Sequence, residues 1–139
     1  MILIDSNVLI DVLDRDPRWF EWSRVNLERA TAIGRVLINP VVVAEVAPQY
    51  GELDDFMNRI VAMVIGFEVL DARSAFYAGR AFQTYRLVRP ADTSKAIVAD
   101  FLIGGHAQSL GATILTRDPR FYRSYFPTVP LITPETDPA

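Results

Sequence analysis

Two rhythms of apolar residues alternate along this chain. Short apolar or β-branched runs at Ile2-Leu3-Ile4, Val36-Leu37-Ile38, Phe67-Glu68-Val69 and Ala112-Thr113-Ile114-Leu115-Thr116 predict strands. Between them, apolar positions recur every three or four residues, which predicts helices. Val8, Leu9, Val12 and Leu13 carry the first. Asp16 caps a second, with Pro17 at its first helical position, that runs from Trp19 to Ile33 and closes at Gly34. Val41 to Ala47 is β-rich in composition, yet Asn39-Pro40 before it and Pro48 after it favour a short buried helix. Further helices are expected over Glu52 to Ile65 with Gly66 as the stop, from Asp71 or Ala72 to Tyr85, over Lys95 to Leu110 with Gly111 as the stop, and over Asp118 to Tyr125.

The remaining pieces complete an architecture. Arg86 to Pro90 reads as a basic loop, Asp92, Thr93 and Ser94 as caps for the helix that follows, and Leu131-Ile132 as an edge strand. Strands alternating with helices imply a three-layer α/β/α fold around a central, mainly parallel sheet. A single domain over residues 1–132 is expected, followed by a Pro-rich tail over 133–139 that frays.

Composition narrows the chemistry. Half of the 139 residues are apolar and 22% are charged, which is the balance of a globular protein with its own core. With no cysteine, thiolate catalysis and zinc–thiolate sites are excluded. No basic leader precedes the first apolar run, and no run approaches the roughly 20 residues of a membrane span. A cytoplasmic protein without a membrane partner is expected. The net charge of −3 excludes a generally basic nucleic-acid coat and leaves room for a local basic rim.

Against this background, Asp5, Glu45, Asp100 and Asp118 stand out because apolar residues or strand ends surround them. Asp5 follows Ile-Leu-Ile at a strand's carboxyl end, where open α/β sheets place ligands. It is equally well placed to be an ordinary helix cap. A carboxylate withdrawn from water must be paired, protonated or bound to a cation. Lys95, Arg117 and Arg120 are the nearest pairing candidates. A shared hard cation accounts for all four acids more economically, since Mg²⁺ takes carboxylate oxygens and keeps several waters.

Helical spacing adds detail. At about 100° per residue, Asp100 shares a face with Ile103, Gly104, Ala107 and Gly111, small enough in part for close approach to the strand bearing Asp5. His106, the only histidine, points elsewhere and reads as structural. Ser6, Asn7 and Thr116 can orient a carboxylate, although capping and strand preference also explain Ser6 and Thr116. Asp11 reads as a solvated helix residue.

Taken together, Ile-Asp5-Ser-Asn7-Val-Leu, Glu45 in its apolar setting, Asp100-Phe-Leu-Ile-Gly104-Gly-His106-Ala, and Thr116-Arg117-Asp118 with Arg120, Tyr122 and Phe126-Pro127 behind it resemble the PIN-domain family, in particular VapC-type toxins. The resemblance spans nearly the whole chain in order. It implies a Mg²⁺- or Mn²⁺-dependent endoribonuclease with one or two ions, held by Asp5, Glu45, Asp100 and Asp118 and supported by Asn7 and Thr116. It further implies products with 5′-phosphate and 3′-hydroxyl ends, a cognate antitoxin that occupies the groove, and a homodimer. Arg86, Arg89, Lys95, Arg117 and Arg120 are candidates for RNA contact, with surface charge or carboxylate pairing as the alternative for each. Two other functions compete: an aspartyl-phosphate phosphatase, weakened because Asn7 stands where that chemistry needs a second Asp, and a non-catalytic PIN-like RNA-binding module.

Overall fold

The structure, a computed structural model, describes residues 1–89 and 97–139. Asp92, Thr93, Ser94 and Lys95 lie outside the described residues. β1 (Ile2–Ile4) is the central strand of a five-stranded, all-parallel sheet. It pairs with β2 (Val36–Ile38) on one side and β4 (Thr113–Leu115) on the other, with Ile4 opposite Leu115. β3 (Ile65–Phe67) and β5 (Leu131–Ile132) form the edges, giving the order β3-β2-β1-β4-β5. Every residue of β1 and β2 is buried, as strands covered on both faces require.

That strand order fixes where a ligand can bind. The chain leaves β1 for β2 and β3 on one side and later crosses back to β4 on the other. The order therefore reverses between β1 and β4, which opens a crevice beyond their carboxyl ends. Right-handed crossovers put the helices of these two excursions on opposite faces of the sheet. The first excursion carries α1 (Ser6–Asp14), α2 (Phe20–Ile33), α3 (Pro40–Val46) and α4 (Leu53–Ala62). The return carries α5 (Ala72–Val88) and α6 (Ile97–Leu110), and α7 (Arg120–Tyr125) links β4 to β5. No described helix is long and apolar enough to cross a membrane.

Two glycines let the return layer close up. A Cβ at Gly105 would sit 2.5 Å from the Ser74 carbonyl and 2.6 Å from the Ala78 nitrogen, so α6 packs backbone to backbone on α5. Gly104 yields its side-chain space to the Phe126 ring instead. The small-residue face of α6 thus admits α7's end, whereas the sequence suggested close approach to β1. Beside it, Phe101 meets Phe82, Tyr85 and Phe121 edge to face at 4.7–5.6 Å.

Other boundaries moved for local reasons. α4 ends at Ala62, and Val64 takes the left-handed conformation (φ 60°) that usually falls to glycine after a helix. Gly66, expected as the stop, lies inside β3, where a Cβ would come within 3.0 Å of Leu37 Cδ2. α5 continues past Tyr85 to Val88, so Arg86 is helical. Arg89, preceding a proline, leaves helical geometry. At the other end, Trp22 Nε1 and Asn26 Nδ2 donate to the Asp137 carbonyl at 2.7 and 3.1 Å, joining the tail to α2.

Candidate active site

Asp5 decides between its two possible roles by where its carboxylate points. It occupies the position before α1, yet its side chain makes no capping hydrogen bond. Oδ2 instead accepts from Thr116 Oγ1 at 2.8 Å and Asn7 Nδ2 at 3.0 Å. β1 and β4 run side by side, so the residues that leave them meet across the crevice. Asn7 Nδ2 also reaches Thr116 Oγ1 at 3.3 Å, and the Asp118 amide donates to that same oxygen at 3.1 Å. Two neutral side chains, Asn7 and Thr116, therefore knit the end of β1 to the loop bearing Asp118.

Glu45 arrives from α3. Asn39 caps that helix by accepting the Val42 N–H at 3.0 Å, and Pro40 sits in its first turn. Val42 and Val46 turn to the core, which sends Glu45 outward. Ser6 Oγ donates to Glu45 Oε1 at 2.7 Å and brings it to the crevice. Asp100 enters from the first turn of α6 and is half-buried. Glu45 and Asp118 are exposed, contrary to the withdrawn setting that their apolar neighbours in sequence suggested.

Electrostatics bind the four acids into one site. Burial, and then the charges of Asp5, Glu45 and Asp118, push the Asp100 carboxyl up to about 7. Burial pushes Asp5 up to about 6; the hydrogen bond from Thr116 works against it and the Glu45 charge with it. Among the described residues, no basic side chain forms an ion pair with any of the four. Nor are three acidic or imidazole side chains among them drawn tightly enough together to enclose an ion. The donor set fits Mg²⁺ nonetheless, because that ion is held by one or two carboxylates and keeps its remaining waters. Asp5 and Asp100, two partly desolvated hard-oxygen donors without a basic partner among the described residues, could supply such carboxylates.

The remaining predicted residues separate clearly. Arg117 Nε donates to both oxygens of Asp11, at 2.9 and 3.2 Å, so it is committed to a carboxylate. Asp11 itself is buried, not solvated, and also accepts from Ser23 Oγ at 2.8 Å. Its i, i+4 spacing from Asn7 was the available signal, since Asn7 Oδ1 faces the Arg117 amide at 3.4 Å. Arg86, Arg89 and Arg120 are exposed. His106 is buried on Asn39: the Asn39 oxygen is used by Val42, so Nδ2 is the donor and His106 Nδ1 the acceptor, at 3.1 Å. Burial lowers the His106 pKa, which keeps the ring neutral and structural. In the sequence, Tyr122 stands only as part of the family resemblance, with no role of its own. It is 1% exposed, its hydroxyl has no hydrogen-bond partner, and it lies within the electrostatic reach of Asp5, Asp100 and Glu45.

A family model of the PIN domain matches residues 2–127. No curated protein matches the sequence. Among solved structures, the chain is similar to VapBC2 from Rickettsia felis bound to a DNA fragment from its promoter, with TM-score 0.69, 20% identity, and coverage of 96% of this chain and 98% of that one. It is also similar to a toxin–antitoxin complex from Klebsiella pneumoniae (TM-score 0.64, 19% identity, 96% and 98% covered). A third is the sarcin–ricin loop cleaving toxin VapC20 from Mycobacterium tuberculosis (TM-score 0.58, 13% identity, 89% and 95% covered). At such identities these likenesses bear on the fold.

Proposed function

This chain belongs to the PIN-domain family, and from that premise we propose that it is a divalent-metal-dependent endoribonuclease serving as the toxin of a type II toxin–antitoxin pair. The observation that carries the proposal is the pairing of Asp5 with Asp100. Both carboxyls are raised by burial and by neighbouring acids, and no basic side chain of the described residues forms an ion pair with them. Asp5 and Asp100 would hold Mg²⁺ or Mn²⁺, with Glu45 and Asp118 at the exposed rim. Such an ion would supply Lewis acidity, to neutralise phosphate charge and activate water toward phosphorus.

The chain's own residues prepare that chemistry. Thr116 and Asn7 fix one oxygen of Asp5 and take nothing from the other. Ser6 aims Glu45, and Thr116 holds the Asp118 backbone. Asn7 spends its amide on Asp5, so the position has no acid/base group for the phosphatase alternative. Arg86, Arg89 and Arg120 are exposed cations for the RNA backbone. A cognate antitoxin, a homodimer and a cytoplasmic setting belong to the same proposal. The antitoxin finds support in the toxin–antitoxin complex among the similar structures.

Purified protein incubated with Mn²⁺ and structured RNAs provides the test. Cleavage is expected, abolished by EDTA and by Asp5→Asn with the circular dichroism spectrum unchanged. An Asp5→Asn variant that cuts like the wild type removes Asp5 from the site. Absence of cleavage with intact metal binding favours the non-catalytic RNA-binding module.

A further inference from the structure

α7 is a short helix whose inward face carries Tyr122, the largest of the fully buried side chains. Its ring has a packing role, flanked by Phe121 at 5.4 Å. The hydroxyl does not share that role. It is the one buried side-chain polar atom among the described residues without a hydrogen-bond partner. Leaving a buried donor unsatisfied is costly, and proteins seldom tolerate it without a compensating use. A phenylalanine would fill the same space without that cost.

The surroundings of this hydroxyl narrow its use. Asp5, Asp100 and Glu45 all act on it electrostatically, so it lies beside the acidic crevice, with Asp5 its nearest named partner. It approaches Asp5 closely enough to steady that carboxylate's charge, without closing a hydrogen bond of good geometry. Thr116 and Asn7 both bind Asp5 Oδ2, so neither occupies Oδ1. Burial and the neighbouring acids hold the Tyr122 pKa well above its usual value, so the group remains a proton donor.

We propose that Tyr122 is a positioning residue of the site: its hydroxyl donates to Oδ1 of Asp5 once a divalent cation draws Asp5 and Asp100 together. This inference rests on the metal-binding part of the proposed function. It explains why a donor is stored in the core with nothing to bind. In the cation-free protein the acids repel one another and the bond stays open. With the cation present, the hydroxyl, Thr116 and Asn7 hold Asp5 from three directions.

Tyr122→Phe separates this role from packing. Two quantities are read for wild type and variant: the melting temperature in EDTA, and the affinity for Mn²⁺ measured by calorimetry. The variant should melt at the same temperature as the wild type or higher, because an unsatisfied group has been removed. Its Mn²⁺ affinity should fall about 10-fold, the lower end of what partners of metal ligands contribute. A variant that binds Mn²⁺ within about twofold of wild type overturns the inference. So does one that melts well below wild type in EDTA or fails to fold, because the hydroxyl is then already bonded in the cation-free protein. If wild type binds Mn²⁺ and cleaves RNA while the variant is indistinguishable from it, the Tyr122 inference alone fails. If wild type binds no Mn²⁺, the metal-dependent reading falls, and this inference with it.

Discussion

Asp5 and Asp11 project from the start and the middle of the same helix toward the same loop after β4, and both are buried, at 5% and 1% exposure. Burial raises the pKa of each. Their neighbours then treat them differently. Asp11 receives a hydroxyl from Ser23 and a guanidinium from Arg117, and these oppose the effect of burial. Asp5 receives two neutral donors on one oxygen and meets other acids across the crevice. Burial therefore does not distinguish a structural carboxylate from a functional one; charge balance does. The Asp11 corner is complete within the chain, whereas among the described residues the Asp5 corner has no basic partner.

The largest expected effect comes from removing one charge at the Asp5 corner. Asp100→Asn should lower RNA cleavage more than about 100-fold, beyond the losses typical of partners that merely orient ligands. Its melting temperature in EDTA should not fall, because three other acids oppose the charge removed. At the complete corner the signs reverse. Asp11→Ala should cost about 2 kcal/mol of folding stability in urea titrations, by leaving Ser23 and Arg117 without their acceptor. An Asp100→Asn variant destabilised in EDTA as much as Asp11→Ala would end the distinction.

A pH titration gives a smaller effect of the same origin. Asp5 at about 6 and Asp100 at about 7 bind protons in the folded state that the unfolded chain, at its ordinary 3.8, has already released. The stability due to that uptake is complete below about pH 4 and is lost as pH rises through 6 and 7. Metal-free protein should thus melt at a lower temperature at pH 8 than at pH 5.5. Mg²⁺ should restore more at pH 8, where it need not displace protons. Melting curves at both pH values, in EDTA and in Mg²⁺, check this. Metal-free stability that rises with pH across this window would mean that the acids are already paired.

How far the sequence foretold this depends on the range of the interactions involved. β1 and Asp5 were legible because three apolar residues and an abrupt polarity switch are local signals. Asp100 was legible as a charge inside an apolar helix. Glu45 was singled out on a premise that does not hold: its neighbours are core residues, but helical rotation carries its own side chain outward. Asp11 was misjudged because its partner lies 106 residues away, across a loop whose placement depends on β1 pairing with β4. The β3 boundary slipped because Val64, not Gly66, adopts the left-handed turn, against the ordinary preference of a β-branched residue. Tyr122 was legible only as part of the family resemblance, since an unsatisfied hydroxyl is a property of packing.

The smallest effect concerns two arginines three residues apart. Arg117 bonds both Asp11 oxygens and lies over the Trp19 ring at 5.7 Å, so its charge is spent within the complete corner. Arg120 is exposed at the start of α7. In an Asp100→Asn background, where RNA would stay intact, Arg120→Gln should change folding stability by less than about 0.5 kcal/mol. It should also reduce the salt dependence of RNA binding by about one phosphate contact. Arg117→Gln should do the opposite, losing stability while leaving the salt slope unchanged. If Arg117→Gln flattens the slope and Arg120→Gln does not, the guanidinium that completes the Asp11 corner also grips RNA. The loop after β4 would then couple the two corners instead of separating them, and part of the Asp11 pair's stability would be given up whenever substrate binds.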